Sequence, residues 1–240
     1  MAPSRQHTHR KIDTERDIRA GVAALRRQCA HMRRIHDLVG DPPLRRLEGG
    51  FEGLLRIVVS QQLSTASASS IWQRTSKAIR PFRPQTILAL KDDAFTGTGL
   101  SRPKVKTFRA VAAAVAAKSL DLARLDRATD ETIRGALTAV FGIGPWTADI
   151  YLLFCLGRPD AWAPGDLALQ IATQRALGLA EKPDHKELDR LAERWRPWRA
   201  VAARLLWAYY AHPDSHSETG PVRKDPQRQK NKPTQRSGRA

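Results

Sequence analysis

The stretch FGIGPWTADIYLLFCLGRPDAWAPGDLALQ, from Phe141 to Gln170, constrains this chain more than any other. Two glycines bracket an isoleucine between two helical patterns, so the chain reverses there in a tight αα-turn. Gly142 and Gly144 read as positions that need backbone angles other residues avoid. The helix that follows offers its free N–H groups and positive dipole end beside a backbone bared of side chains, a cradle for phosphate. Further on, Asp166 follows a Pro-Gly at the start of another helical pattern. Taken alone, Gly-Ile-Gly is more often an ordinary helix turn, and such an aspartate more often an ordinary N-cap.

The rest of the sequence is helical in pattern. In FEGLLRIVVSQQLSTASASSIW, Phe51, Leu54, Leu55 and Val58 recur at three- and four-residue steps. Leu63, Ile71 and Trp72 predict a second helix, with the Ser/Thr run as the join. KVKTFRAVAAAVAAKSL is alanine-rich, with Val105, Phe108, Val111, Ala112 and Val115 on one face. TDETIRGALTAV begins with Thr129 or Asp130 as N-cap, and PWTADIYLLFCLG carries proline in its first turn and glycine past its end. KELDRLAERW and WRAVAARLLWAYYAH are further helices. No segment alternates with β-branched enrichment, so the fold class predicted is all-α.

Charge narrows the partner. The formal net charge is +17, with a pI near 10.8. The first twenty residues carry five bases and three acids, and those from Pro213 onward carry seven bases and three acids. That leaves +11 on residues 21–212, the part expected to fold, with residues 1–20 and 213–240 expected as basic, disordered tails. A basic folded core points to a polyanion, nucleic acid before membrane. Two cysteines, Cys29 and Cys155, exclude a disulfide framework and a four-cysteine iron–sulfur or metal site, and the seven histidines show no metal spacing. His31 and His36 read as surface residues. The N-terminus lacks the apolar core of a signal peptide, and no run is long enough to span a bilayer. An intracellular protein is expected, cytoplasmic and nucleoid-associated in a bacterium.

With these residues in view, VFGIGPWTADIYLL followed by WAPGDLALQ resembles the helix–hairpin–helix, Gly/Pro-loop and aspartate motif of the base-excision DNA glycosylase superfamily. LRIVVSQQLSTASASSIW, GLSRPKVKTFRAVA and RWRPWRAVAARLLW are similar to further motifs of its 3-methyladenine DNA glycosylase II branch, in the same order. The resemblance implies two helical lobes flanking a DNA-binding and base-binding cleft, lobe one about 52–157 and lobe two 21–51 plus 158–212. It implies that Asp166 is catalytic, stabilising positive charge on the sugar as the bond to the base breaks. Trp146 stands where strand-cutting relatives carry a Schiff-base lysine, and Lys182 and Lys186 lie far from the motif in sequence. A glycosylase without lyase activity, leaving an abasic site, is therefore expected.

Trp146 and Trp207 are the expected walls of the base pocket, offering aromatic faces to a cationic base. Tyr209 and Tyr210 are lesser candidates, and Asp149 shares the Trp146 side of its helix and could line the pocket or be structural. Ile150 and Leu167 stand where relatives carry aromatics, so a shallower or less aromatic pocket is expected. Gly142, Ile143 and Gly144 are expected on phosphate, together with Arg102 and Lys104. Gln61, Gln62 and Leu63 are expected to face DNA, with Gln62 or Leu63 filling the gap left by a flipped base. No cofactor is required by this reading, no side-chain metal site is expected, and a monovalent cation at the hairpin backbone is admitted. The expected partner is double-stranded DNA containing a damaged base, bound by a monomer. Two alternatives stand beside it: a helix–hairpin–helix DNA-binding protein without catalysis, and a glycosylase for oxidised or mismatched bases.

Overall fold

A computed structural model describes residues 11–213, and among them there is no β-strand. Twelve α-helices are joined by short turns: α1 (Glu15–Gln28), α2 (Ala30–Val39), α3 (Gly50–Ser60), α4 (Thr65–Ala78), α5 (Pro84–Ala89), α6 (Arg102–Ala116), α7 (Leu122–Leu125), α8 (Asp130–Thr138), α9 (Pro145–Ile150), α10 (Leu167–Leu177), α11 (His185–Ala192) and α12 (Arg199–Ala211). Thr129 caps α8, its side chain accepting from Thr132 N.

Three expectations need correction. The tail boundary at residue 20 falls inside α1. The Thr14 hydroxyl accepts from Asp17 N while the Asp17 carboxylate accepts from Thr14 N, a reciprocal cap that starts this helix. Ile18, Val22 and Leu25 then bury one face, so patterning outweighs the local charge. Residues 1–10 and 214–240, half of the first expected tail and nearly all of the second, lie outside the described residues. The join after α3 is Gln61–Ser64 alone; the Ser/Thr run beyond it is the start of α4, capped by Ser64 through Ser67 N. The third correction matters most. PWTADIYLLFCLG is not one regular helix: α9 passes into a wide π-turn over Tyr151–Cys155.

The helices sort by packing into two groups. α6 packs on α3 and α5, α3 on α4, and α8 on α9; α12 packs on α10, α2 and α1. The π-turn rests on α3, and the chain then crosses to α10. Fully buried Leu54, Leu55 and Val58 anchor the first group, and Val201, Leu205 and Leu206 the second. Each such burial contributes roughly 1.5–3 kcal/mol. Hydrogen bonds help to stitch the groups together. Leu47 N donates to Phe154 O, Gly50 N donates to the Tyr151 hydroxyl, and Ile12 N donates to Gly157 O.

Candidate active site

Asp166 sits at the seam between the two groups of helices. Trp162 and Ala163 are buried, and a turn closed by Asp166 N on Ala163 O brings the chain into α10. That turn is held from the helix behind it. Gln170, 4 % exposed, donates its amide to Pro164 O at 3.1 Å, and Lys182 Nζ donates to Gln170 Oε1 at 2.7 Å. The His185 ring lies against Gly165, within 3.6 Å of where a Cβ would stand. Lys182, remote in sequence, is thus two hydrogen bonds from the Asp166 turn.

Asp166 is an N-cap, accepting from Leu169 N at Oδ1, 3.0 Å. It is also more than that. Trp207 Nε1 donates to the same Oδ1 at 3.0 Å, and Trp146 Nε1 donates to Oδ2 at 2.9 Å. Three N–H groups from three helices converge on one half-buried carboxylate, with both indoles beside it. A helix cap needs one such donor, not three. The two tryptophans named as pocket walls therefore meet at the aspartate named as catalytic. Trp207 in turn stacks on Phe154 of the π-turn, ring centroids 5.5 Å apart and planes at 28°.

The hairpin between α8 and α9 is fixed by a close approach. Gly142 has φ +80°, and a Cβ there would lie 1.9 Å from Thr107 Oγ1 of α6. Both constraints demand glycine. Gly144 does not share them: its φ is −93° and nothing stands within 4 Å of its missing Cβ. Gly144 thus needs no unusual backbone angle, and what its lack of side chain provides is open space at the start of α9, which has no side-chain cap. Ile143 is 4 % exposed, so its side chain belongs to the core and any outward contact there is made by backbone. Phe141, just before, is 64 % exposed.

Several expected DNA contacts are committed within the protein. Gln61 donates to Gly142 O at 3.1 Å and to Thr147 Oγ1 at 2.8 Å, tying the α3–α4 turn to the hairpin. Lys104, expected on phosphate, clamps a helix: Nζ donates to Val59 O and Gln61 O at 2.7 and 2.8 Å, at the C-terminal end of α3 where a cation offsets the dipole. Burial holds its pKa below the usual lysine value. Gln62, at φ +56°, and Leu63 project from the tip of the turn and are exposed, as is Arg102 in the first turn of α6.

Of the two readings of Asp149, lining the pocket or structural, its surroundings fit the structural one. It is 4 % exposed and accepts from Arg134 Nε of α8 at 2.6 Å. Burial, outweighing the arginine, pushes its carboxyl up to about 6. Tyr209 is also core, at 1 % exposure, while Leu167, beside Asp166, is 59 % exposed. His31 and His36 are half-buried rather than surface, His31 with Nδ1 at 2.9 Å from Ala176 O and His36 with Nε2 at 2.8 Å from Asp41. Gln170 went unnamed in the sequence although its place one turn after Asp166 on α10 was a usable signal. For Phe154 and Thr147 there was none, since their roles depend on the π-turn and on a cross-helix bond. Among the described residues no three His, Cys, Asp or Glu side chains form a metal-holding group, and no helix is long and apolar enough to cross a membrane.

Comparison with known proteins gives the family and the fold. The profile of the "HhH-GPD superfamily base excision DNA repair protein" matches residues 55–197. The Mycobacterium tuberculosis protein named "Probable bifunctional transcriptional activator/DNA repair enzyme AlkA" is 34 % identical over 84 % of this chain, and the chain spans about half, 45 %, of that protein's length. The Schizosaccharomyces pombe 3-methyladenine DNA glycosylase Mag1, solved in complex with abasic DNA, superposes with a TM-score of 0.76 at 27 % identity, covering 81 % of this chain and 98 % of that one. A DNA-3-methyladenine glycosidase from Bacillus halodurans superposes with a TM-score of 0.67 at 29 % identity, over 84 % and 92 % of the two chains.

Proposed function

The chain belongs to the HhH-GPD superfamily of base excision DNA repair proteins, and from that premise we propose that it is a monofunctional DNA glycosylase for alkylated bases of the 3-methyladenine type. The observation that carries this reading is the convergence of Trp146, Trp207 and Leu169 N on the Asp166 carboxylate.

In this reading the hairpin and its neighbours grip backbone phosphates, and the damaged nucleotide is extruded from the stack at a cost of a few kcal/mol, least for a damaged base. The base enters between indole faces, which favour a cationic purine over a neutral one. Cleavage of the bond from C1′ to the base nitrogen leaves positive charge on the sugar. Asp166, fixed by three donors, presents its carboxylate to that charge without having to reorganise. Water adds its oxygen to C1′, and its proton passes to the carboxylate or to solvent. The alkylated base leaves neutral because it was already cationic, so no general acid is required.

The Trp146 position, filled by lysine in strand-cutting relatives, supports hydrolysis without a Schiff base. Incubation with methylated duplex should release methylated purines and leave abasic sites that break in alkali and not before. Borohydride should trap no protein–DNA adduct. A trapped adduct would reverse the monofunctional assignment, with Lys182 the first residue to replace. Absence of base release by the unaltered protein would leave the non-catalytic DNA-binding alternative.

A further inference from the structure

The π-turn breaks the regular helical ladder next to the site, where its Phe154 stacks on Trp207. Such turns release backbone carbonyls from the helical ladder, and they recur at functional sites. Here Leu156 N donates to Tyr151 O, five residues back, at 3.1 Å, and the carbonyls of this last turn find partners outside the helix. Leu152 O accepts from Arg158 N at 3.0 Å, and Phe154 O from Leu47 N at 3.0 Å and from Arg46 Nη1. Leu153 O accepts from Arg204 Nη2 at 3.1 Å.

Arg204 is unusual in its own right. It is 3 % exposed and its guanidinium donates to three carbonyls from three parts of the chain: Leu153 O, Leu44 O at 3.1 Å and Ala200 O at 2.8 Å. Its Cζ lies 4.9 Å from the Phe154 ring centroid. A buried cation without a carboxylate partner is costly, and carbonyl donation with a ring contact offsets that cost in part. Trp207 lies three residues further on α12, on the same face as Arg204, and stacks on the same Phe154 ring. Phe154 therefore touches Arg204 and Trp207 at once, and Trp207 Nε1 holds Asp166 Oδ1.

We propose that Phe154, clamped by Arg204 and by the π-turn, is a positioning residue for base release: its ring sets the orientation of Trp207, and through it the orientation of the Asp166 carboxylate. The inference rests on the glycosylase reading. An ordinary α-helix through Tyr151–Cys155 would turn the residue 154 side chain to a different azimuth, since each π-turn shifts later side chains around the helix axis. Neither Phe154 nor Arg204 hydrogen-bonds Asp166, whose donors are Trp146, Trp207 and Leu169 N, and their effect passes through the Trp207 indole.

The test is Phe154→Leu beside Phe154→Tyr, with Phe154→Met taking the same readings should the leucine variant not fold. Single-turnover base release from methylated duplex, affinity for abasic duplex and the Trp207 indole 15N–1H resonance are measured on each. We expect release by the leucine variant to fall at least tenfold while abasic-duplex affinity stays within about twofold, and the tyrosine variant to keep the unaltered rate. The Trp207 resonance should move upfield in the leucine variant, as the indole N–H hydrogen bond to Asp166 weakens, and stay in place in the tyrosine variant. Unchanged release by the leucine variant, or an equal loss in the tyrosine variant, overturns the inference. So does a loss of affinity as large as the loss of rate. If the unaltered protein releases no base, the glycosylase reading is what fails, and the indole resonance still decides whether Phe154 orients Trp207.

Discussion

Trp146 and Asp166, twenty residues apart in sequence, are joined by a 2.9 Å hydrogen bond from indole nitrogen to carboxylate. The first lies in the helix that follows the hairpin, the second caps the helix after the crossing loop. This bond ties the proposed phosphate-gripping element to the proposed catalytic acid, so the two are placed relative to each other by contact as well as by fold. It also gives Trp146 a duty apart from lining a pocket, because the indole N–H and the ring face do different work.

That separation can be tested. Trp146→Phe and Trp207→Phe each keep an aromatic ring and remove one donor to Asp166. A hydrogen bond to a charged group contributes about 1.5–3 kcal/mol. If most of that serves to hold the carboxylate in place, each variant should release methylated base roughly tenfold to a hundredfold more slowly, while abasic-duplex affinity changes little. Loss of affinity with an unchanged rate at saturation would show that the rings matter and the N–H groups do not.

The sequence was legible where local pattern governs. Gly142 follows from the turn, Asp166, Trp146 and Trp207 stand out through the motifs of the family resemblance, and helix existence follows from apolar spacing. What stayed hidden depends on long-range partners. Lys104 reads as an exposed base on an amphipathic helix, and nothing local tells that its stem lies against α3 with Nζ on Val59 O and Gln61 O. Asp149 sits at helical spacing from Trp146, yet Arg134 on the preceding helix draws it into a different environment. The π-turn was hidden for a different reason: YLLFC has good helical spacing, and the extra residue in the turn is stabilised by Arg204, Arg46 and Leu47 from elsewhere.

The two hairpin glycines should behave differently although they look alike in sequence. Gly142→Ala brings a methyl into Thr107 Oγ1 and strains a positive φ, so it should destabilise by about 1–3 kcal/mol. Gly144→Ala meets no atom within 4 Å and has an ordinary φ, so the thermal midpoint should stay within about 2 °C. If the hairpin backbone approaches phosphate there, Gly144→Ala should nonetheless weaken duplex binding several-fold. Equal stability loss in both variants would contradict this assignment of roles.

Asp149 predicts a pH dependence of stability. Its folded pKa of about 6 lies above the ordinary 3.8, so the folded state holds this proton to higher pH than the unfolded chain does. The group's contribution is fully present below about 4 and is lost as pH rises through about 6, by at most about 3 kcal/mol. Asp149→Asn cannot ionise and keeps an oxygen to accept from Arg134. Relative to wild type it should gain stability as pH rises from 4 to 7, measured by denaturant unfolding at each pH. The opposite trend would show that the charges of Arg134 and Arg199 outweigh burial at this site.

Asp166→Asn separates the two roles of the central acid. As a helix cap, asparagine is about as good as aspartate, and its single oxygen can still accept from Leu169 N and Trp207 Nε1. Its amide NH2 would then face Trp146 Nε1, donor against donor, where Oδ2 now accepts. The thermal midpoint should therefore fall by a few degrees, the equivalent of about 1–3 kcal/mol for an indole N–H left without its partner. Base release should fall far further than that loss of stability implies. Removing even about 3 kcal/mol of transition-state stabilisation slows the step more than a hundredfold, and asparagine carries no charge to set against the sugar cation. Binding to abasic duplex should survive or tighten, since a negative charge near the phosphates is gone. A folded Asp166→Asn protein that releases methylated purines at close to the unaltered rate would leave Asp166 as a cap and two tryptophans as its packing, and catalysis would have to be sought elsewhere in the cleft.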